Sequence, residues 1–279
     1  MPVKTLHLPD GRTFRFGRKR PVARHPMLSF KNYMVPGVPA PPPTADYTPA
    51  ATEALQQMYE NDTLGDCVIA AVEHVEGVLT GNANPPPLLY TNDQTTAFYS
   101  AACGYVPGDA STDDGCDVQQ TLAYWENNGA PSGSQHTIVG YLSVDPTNVT
   151  EFQTALWLFE NLVFGVELPD AWINPYPSAS GFVWDVAGPS DPQNGHCFPG
   201  FGYTAQGVTI ATWGMTRLLT NAAVAQYAAS GVGGELYVVI SQDQLNTASQ
   251  LAPNGFDWAQ LVADFQALGG TVTLPPSSA

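Results

Sequence analysis

Apolar residues recur with a helical period through the first half of the chain and in short, nearly continuous runs through the second. Few folds accommodate that segregation. From Cys67, the residues Val68, Ala71, Val72, Val75 and Leu79 fall on one helical stripe that Gly81 closes. Further helical patterns cover 51–59, 95–102 and 118–127, with a break at 61–65. Beyond 138 the reading is a strand, a helix over 149–161, strands over 163–168, 198–203 and 208–212, a helix over 218–229, a strand over 236–241 and a helix over 258–268. Helices first and strands later predict an α+β chain rather than an alternating α/β one. The expected division is an arm over 1–50, a helical lobe over about 51–133, a β lobe over about 134–245, and a C-terminal helix and tail over 246–279 packed on the rest.

The arm differs from the body in charge. Eight of the nine basic residues lie in the first 31 positions (Lys4, Arg12, Arg15, Arg18, Lys19, Arg20, Arg24 and Lys31), leaving Arg217 alone beyond them. Of 25 acidic residues, only Asp10 falls in that stretch. Opposite charges so segregated predict that the arm docks on an acidic surface, of its own body or of a neighbouring copy. A body this acidic argues against nucleic acid as a partner. Five prolines in the nine residues 35–43 exclude a helix there and read as a linker or strap. No apolar run is long enough to span a membrane, and no apolar segment of a secretory leader follows the basic start. The compartment stays open.

Four cysteines, Cys67, Cys103, Cys116 and Cys197, form no C-x-x-C pair, so neither a metal site nor a cofactor is expected. Cys103 and Cys116 flank a glycine-rich loop; a disulfide closing it and two free thiols are equally compatible with the spacing. The loop's Asp109, Asp113, Asp114 and Asp117 read as solvated acid. Cys67 is different because it opens a helix, where free N–H groups and the helix dipole favour a thiolate.

The segment Asn61-Asp-Thr-Leu-Gly-Asp-Cys67 resembles the active-site segment of papain-like cysteine peptidases, which has an amide side chain six residues before the cysteine. Asn61 stands there, where the family has Gln. Further on, His196 is followed by Gly202-Tyr203 at the family's spacing, and then by Thr212-Trp213-Gly214, similar to its Asn-Ser-Trp-Gly ending. The resemblance spans roughly 50–240. It implies a two-lobed fold, one lobe helical and one a small antiparallel barrel-like sheet. It also implies a peptide or protein substrate, Cys67 as nucleophile, His196 as base and Asn61 as oxyanion donor. The departures are definite. Ala211 or Thr212 replaces the Asn that orients the imidazole, Val68 replaces an aromatic residue, and Asp66 precedes the cysteine. Thr212 is the candidate for the orienting role. The other expectation is a non-catalytic protein of this fold, a virion or surface component that assembles through its arm.

Overall fold

The computed structural model describes residues 3–22, 27–130, 137–174, 176 and 181–274. Its strands are β1 Lys4–His7, β2 Thr13–Phe16, β3 Ala45–Asp46, β4 Gly140–Ser143, β5 Leu162–Glu167, β6 Val183–Trp184, β7 Gly195–Tyr203, β8 Gly207–Thr212, β9 Met215–Thr220 and β10 Glu235–Ile240. Its helices are α1 Thr52–Leu55, α2 Cys67–Ala83, α3 Asn92–Cys103, α4 Val118–Asn128, α5 Val149–Phe159, α6 Asn221–Tyr227, α7 Gln242–Leu251 and α8 Trp258–Ala267.

One sheet organises the body, in the order β4-β10-β5-β7-β8-β9-β6, with β3 added along β7. All its pairings are antiparallel except β6 with β9. Among the described residues the sheet is open, with β4 and β6 at its ends, rather than closed into the expected barrel-like form. It carries a hydrophobic core on each face, because successive side chains of a strand point opposite ways. On β10, Leu236, Val238 and Ile240 enter one core while Tyr237 and Val239 enter the other. On β7, Phe198 faces the first and Cys197 and Phe201 the second. Strands buried on both faces read as unbroken apolar runs, which is how they stand in the sequence. Helices α2, α3 and α4 supply the second core, and α5, α6, α7 and α8 the first. Among the described residues no helix is long and apolar enough to cross a membrane.

Two elements depart from the expected pattern. The stretch expected to be helical over 218–229 begins as β9, and the helix starts only at Asn221, where the Thr220 side chain accepts from the Ala223 amide. The strand was hidden because an inward position of β9 carries Arg217, which breaks the apolar alternation. Helix α7 was hidden by its polar composition, although Ser241 and Gln244 form a capping box at its start. The arm, expected to be merely extended, begins with the hairpin β1–β2.

The loop after α3 is tied at its base by a disulfide between Cys103 and Cys116. Its acids are not all solvated as expected: Asp113 and Asp117 are buried, Asp113 accepting from the Gly65 amide and Tyr99 hydroxyl, and Asp117 capping α4. Replacing both Cys103 and Cys116 by Ser should lower stability by about 3 kcal/mol, the loop-closure entropy of a ring this size. Urea unfolding measures it, and a loss below about 1 kcal/mol would mean that buried Asp113 holds the loop without the crosslink.

Candidate active site

Cys67 is the first residue of α2, and α2 packs against β7, which carries His196. The backbone amides of Gly17 and Cys197 lie near enough to the Cys67 thiol to favour its charged form. Cys197 follows His196 in the chain, so the helix start and the His strand meet at this point. Gly17 belongs to the arm.

The His196 ring is fixed from several sides. Its Nε2 is 2.7 Å from the Thr212 hydroxyl, and Trp213 stacks on it with ring centroids 4.1 Å apart. Phe16 of the arm meets it edge-on at 5.9 Å. Its Nδ1 is buried and has no hydrogen-bond partner among the described residues. Of the two residues that could align with the orienting position, Thr212 is the one that touches the ring. Ala211, its neighbour, points into the second core. Asn61 is buried and donates through Nδ2 to the carbonyls of Leu64 and Arg15 and to Asp66 at 3.2–3.3 Å. Its amide is therefore engaged by the turn before Cys67 and by the arm. Of the remaining histidines, His74 faces the Ala54 carbonyl at the far side of α2, and His136 lies outside the described residues.

The arm runs through this site. Its main chain pairs with both walls: Cys116 N–H donates to the Gly17 carbonyl and Lys19 N–H to the Cys116 carbonyl, each at 2.7 Å, while Arg18 N–H donates to the Gly195 carbonyl at 3.1 Å. Upstream, Arg15 N–H donates to the Asn61 carbonyl at 3.0 Å. The contact is backbone on backbone because glycine lines it. A Cβ on Gly17 would overlap the Gly65 carbonyl, one on Gly115 the Gly17 carbonyl, and one on Gly195 the Arg18 carbonyl.

The charge segregation is satisfied within the chain. Arg18 is buried and donates through Nε to Glu235 at 2.8 Å. Arg20 reaches Glu167 at 2.9 Å, Lys19 reaches Asp114 at 2.9 Å, and Arg15 reaches Asp113 at 3.1 Å. Lys4 lies near Asp170 and Asp191. Arg12 pairs within the arm with Asp10, and Arg24 lies outside the described residues. The exposed pairs contribute little each. Arg18 with Glu235 is the pair buried on both sides, so its disruption would strand a buried charge whichever partner is lost.

Burial under the arm sets the protonation of the site. Desolvation pushes the Cys67 thiol up to about 12, against the pull of the Gly17 and Cys197 amides. It also pushes His196 down to about 3, with the Arg217 charge acting in the same direction. Desolvation pushes the Asp66 carboxyl up, against the Asn61 amide that donates to it. Nucleophile and base positions are both neutral, and no thiolate–imidazolium pair forms. Among the described residues no group of His, Cys, Asp or Glu is arranged to hold a metal ion.

No protein-family model matches the sequence, and no curated protein matches it. Solved structures do match its shape. Xylellain, a cysteine protease from Xylella fastidiosa, is 15% identical with a TM-score of 0.59, over 81% of this chain and 96% of that one. Procathepsin L2 proteinase from the larval midgut of Tenebrio molitor is 13% identical with a TM-score of 0.52, over 81% and 78%. A structure from work on the mite allergens Blo t 1 and Der p 1 is 11% identical with a TM-score of 0.51, over 74% and 73%. The chain has a papain-like fold, at a sequence distance that marks it as divergent.

Sequence reasoning noted Trp213 without a role for it and missed Gly17 and Phe16. A signal for Phe16 existed: Phe14 and Phe16 alternate with Thr13 and Arg15, the period of a strand. Two outcomes follow. Gly17→Val should unseat the arm and raise the rate of Cys67 alkylation by iodoacetamide at least about tenfold, read by peptide mass spectrometry; an unchanged rate would mean that the arm does not shield the thiol.

The second concerns pH. Because His196 is lowered, the unfolded chain takes up a proton that the folded chain refuses. Its contribution to stability is complete above 6.5 and shrinks as pH falls toward 3. Urea unfolding at pH 7 and pH 5 should show a smaller acid loss in His196→Gln than in the native chain, and equal losses would contradict the buried neutral imidazole.

Proposed function

We propose that this chain is a cysteine peptidase that hydrolyses a peptide or amide bond through a Cys67 acyl-enzyme, and that its own arm holds it shut. One observation carries the reading. The His196 imidazole is held at Nε2 by Thr212 while Nδ1 is left bare, on the strand against which the Cys67 helix packs. A general base needs one nitrogen oriented and the other free to take a proton.

In the open state water reaches the site and the desolvation that keeps both groups neutral is relieved. Cys67 loses its proton to His196 Nδ1, and the helix N-terminus stabilises the thiolate. The thiolate attacks the carbonyl carbon, and its oxygen takes the negative charge. The Cys67 backbone N–H and the Asn61 amide, once freed from the Arg15 carbonyl, donate to that oxygen. His196 returns the proton to the leaving amine. Water, deprotonated by His196, then attacks the thioester and releases the acid and the thiol. Thr212 fixes the ring through Nε2 and takes the place of an amide side chain. Trp213, stacked on the ring, shields that hydrogen bond from water.

The second reading is a papain-fold protein without the reaction, such as a virion or surface component. It is favoured by a specific observation, the closed arm with its buried Arg18–Glu235 pair. The arm's cations find partners in its own body, so assembly through the arm would require these pairs to exchange between copies.

An arm-released chain carrying Gly17→Val should cleave a fluorogenic peptide amide. Cys67→Ala or His196→Ala in that background should reduce kcat/KM by at least about a thousandfold, and Thr212→Ala by roughly tenfold. Absence of cleavage in the arm-released chain across a broad peptide library, with iodoacetamide still labelling Cys67, favours the non-catalytic reading.

A further inference from the structure

Arg217 is the one basic residue of the body, and it is buried. A buried guanidinium ordinarily sits on a carboxylate, and this body holds 24 acidic residues. Arg217 has no acid within ion-pair reach among the described residues. Three aromatic rings surround it instead, with Cζ 3.9 Å from the Phe182 centroid, 5.1 Å from Trp184 and 5.5 Å from Tyr176. Nη2 donates to the Tyr176 hydroxyl at 2.7 Å. Nε and Nη1 are buried with no acceptor among the described residues.

Ring faces hold a cation weakly compared with the cost of burying an unpaired ion. Among the described residues the Tyr176 hydroxyl is the one acceptor the guanidinium reaches, and burial pushes its pKa down. Two vacant N–H groups on a planar fork match the two oxygens of a carboxylate.

The box lies on the His196 side of the site. Arg217 stands on β9, which follows Trp213 and pairs with β8, the strand of Thr212. Trp184, one wall of the box, meets Trp213 edge-on at 6.5 Å. The arm supplies a cover: Phe14 stacks on Trp213 at 4.6 Å and meets Tyr176 edge-on at 4.9 Å. In an acyl transfer the leaving amine departs on the side of the base that protonates it, so a group bound here belongs to the leaving part of a substrate.

We propose that Arg217 anchors a carboxylate on the leaving side of a bound peptide, and that Phe14 of the arm covers this subsite in the closed chain. The proposal rests on the peptidase reading for its ligand, since a peptide brings the carboxylate. A C-terminal carboxylate and an acidic side chain share the chemistry that Arg217 recognises. A bound carboxylate would also cancel the Arg217 charge that disfavours the imidazolium, so substrate would prime its own base.

The test uses the full-length chain carrying Phe14→Ala, which opens the box, and Cys67→Ser, which prevents turnover. Three peptides are titrated by calorimetry: acetyl-Phe-Gly-Gly with a free carboxylate, the same peptide as its amide, and acetyl-Phe-Gly-Asp amide. The free acid should bind at least about tenfold tighter than its amide, the gain of one charge-assisted fork. Tight binding by the aspartyl amide as well identifies a general acid subsite; discrimination against it identifies a C-terminal one. Arg217→Gln should erase the preference and Arg217→Lys should keep part of it. Should Arg217→Gln fail to fold, the acid-to-amide ratio in the parent and in Arg217→Lys still decides. Equal affinities, a preference that survives Arg217→Gln, or no binding of any peptide at about 10 mM overturns the proposal. Because the Cys67→Ser chain does not turn over substrate, the result is independent of catalysis. A chain that binds the acid yet never cleaves with Cys67 restored sinks the peptidase reading and leaves the subsite standing.

Discussion

The seam of backbone against backbone at Gly17 governs the rest of the structure. A strand can lie directly on the turn before Cys67 only if side chains are missing on both partners, and Gly17, Gly65, Gly115 and Gly195 remove them. The seam brings the arm's main chain to the helix start and to β7 together, so both walls of the site donate to it or accept from it. Charge then holds what the glycines admit. Arg18 is buried against Glu235, and the flanking Arg15, Lys19 and Arg20 reach acids on the same two walls. The basic arm and the acidic body are two halves of one contact.

The site beside that contact is dry, with Cys67 and His196 both buried. In a dry site neither a thiolate nor an imidazolium is supported. Cys67 is raised and His196 is lowered, both chiefly by desolvation. The helix N-terminus at Cys67 and the two nearby amides favour the thiolate, yet they do not outweigh the burial. Thr212 and Trp213 fix the orientation of the His196 ring within this dry site.

The fold was legible where burial leaves a period in the sequence. The stripe of α2 and the unbroken apolar runs of β5, β7 and β10 marked their elements, since each has its side chains in a core. β9 was missed because Arg217 occupies an inward position, and α7 because its stability comes from a capping box more than from an apolar face. At the site, the family resemblance singled out Cys67, His196 and Thr212, and the last two touch in the fold. The role of the arm could not be read in this way, since nothing local tells a strand that lies in a cleft from one that lies on a surface. The charge segregation foretold that it would dock, and only the four glycines, far apart in sequence, say where.

The central claim is that one contact keeps Cys67 and His196 neutral and that its release lets them exchange a proton. The most direct measurement is the 15N shift of the His196 ring nitrogens against pH, in the native chain and in Gly17→Val. The account predicts a neutral ring in the native chain from pH 8 down to the onset of acid unfolding. It predicts an imidazolium at neutral pH in the variant, lost when Cys67 is replaced by Ala. A ring that stays neutral in the folded variant at pH 6, or that is already charged in the native chain at pH 7, would contradict it.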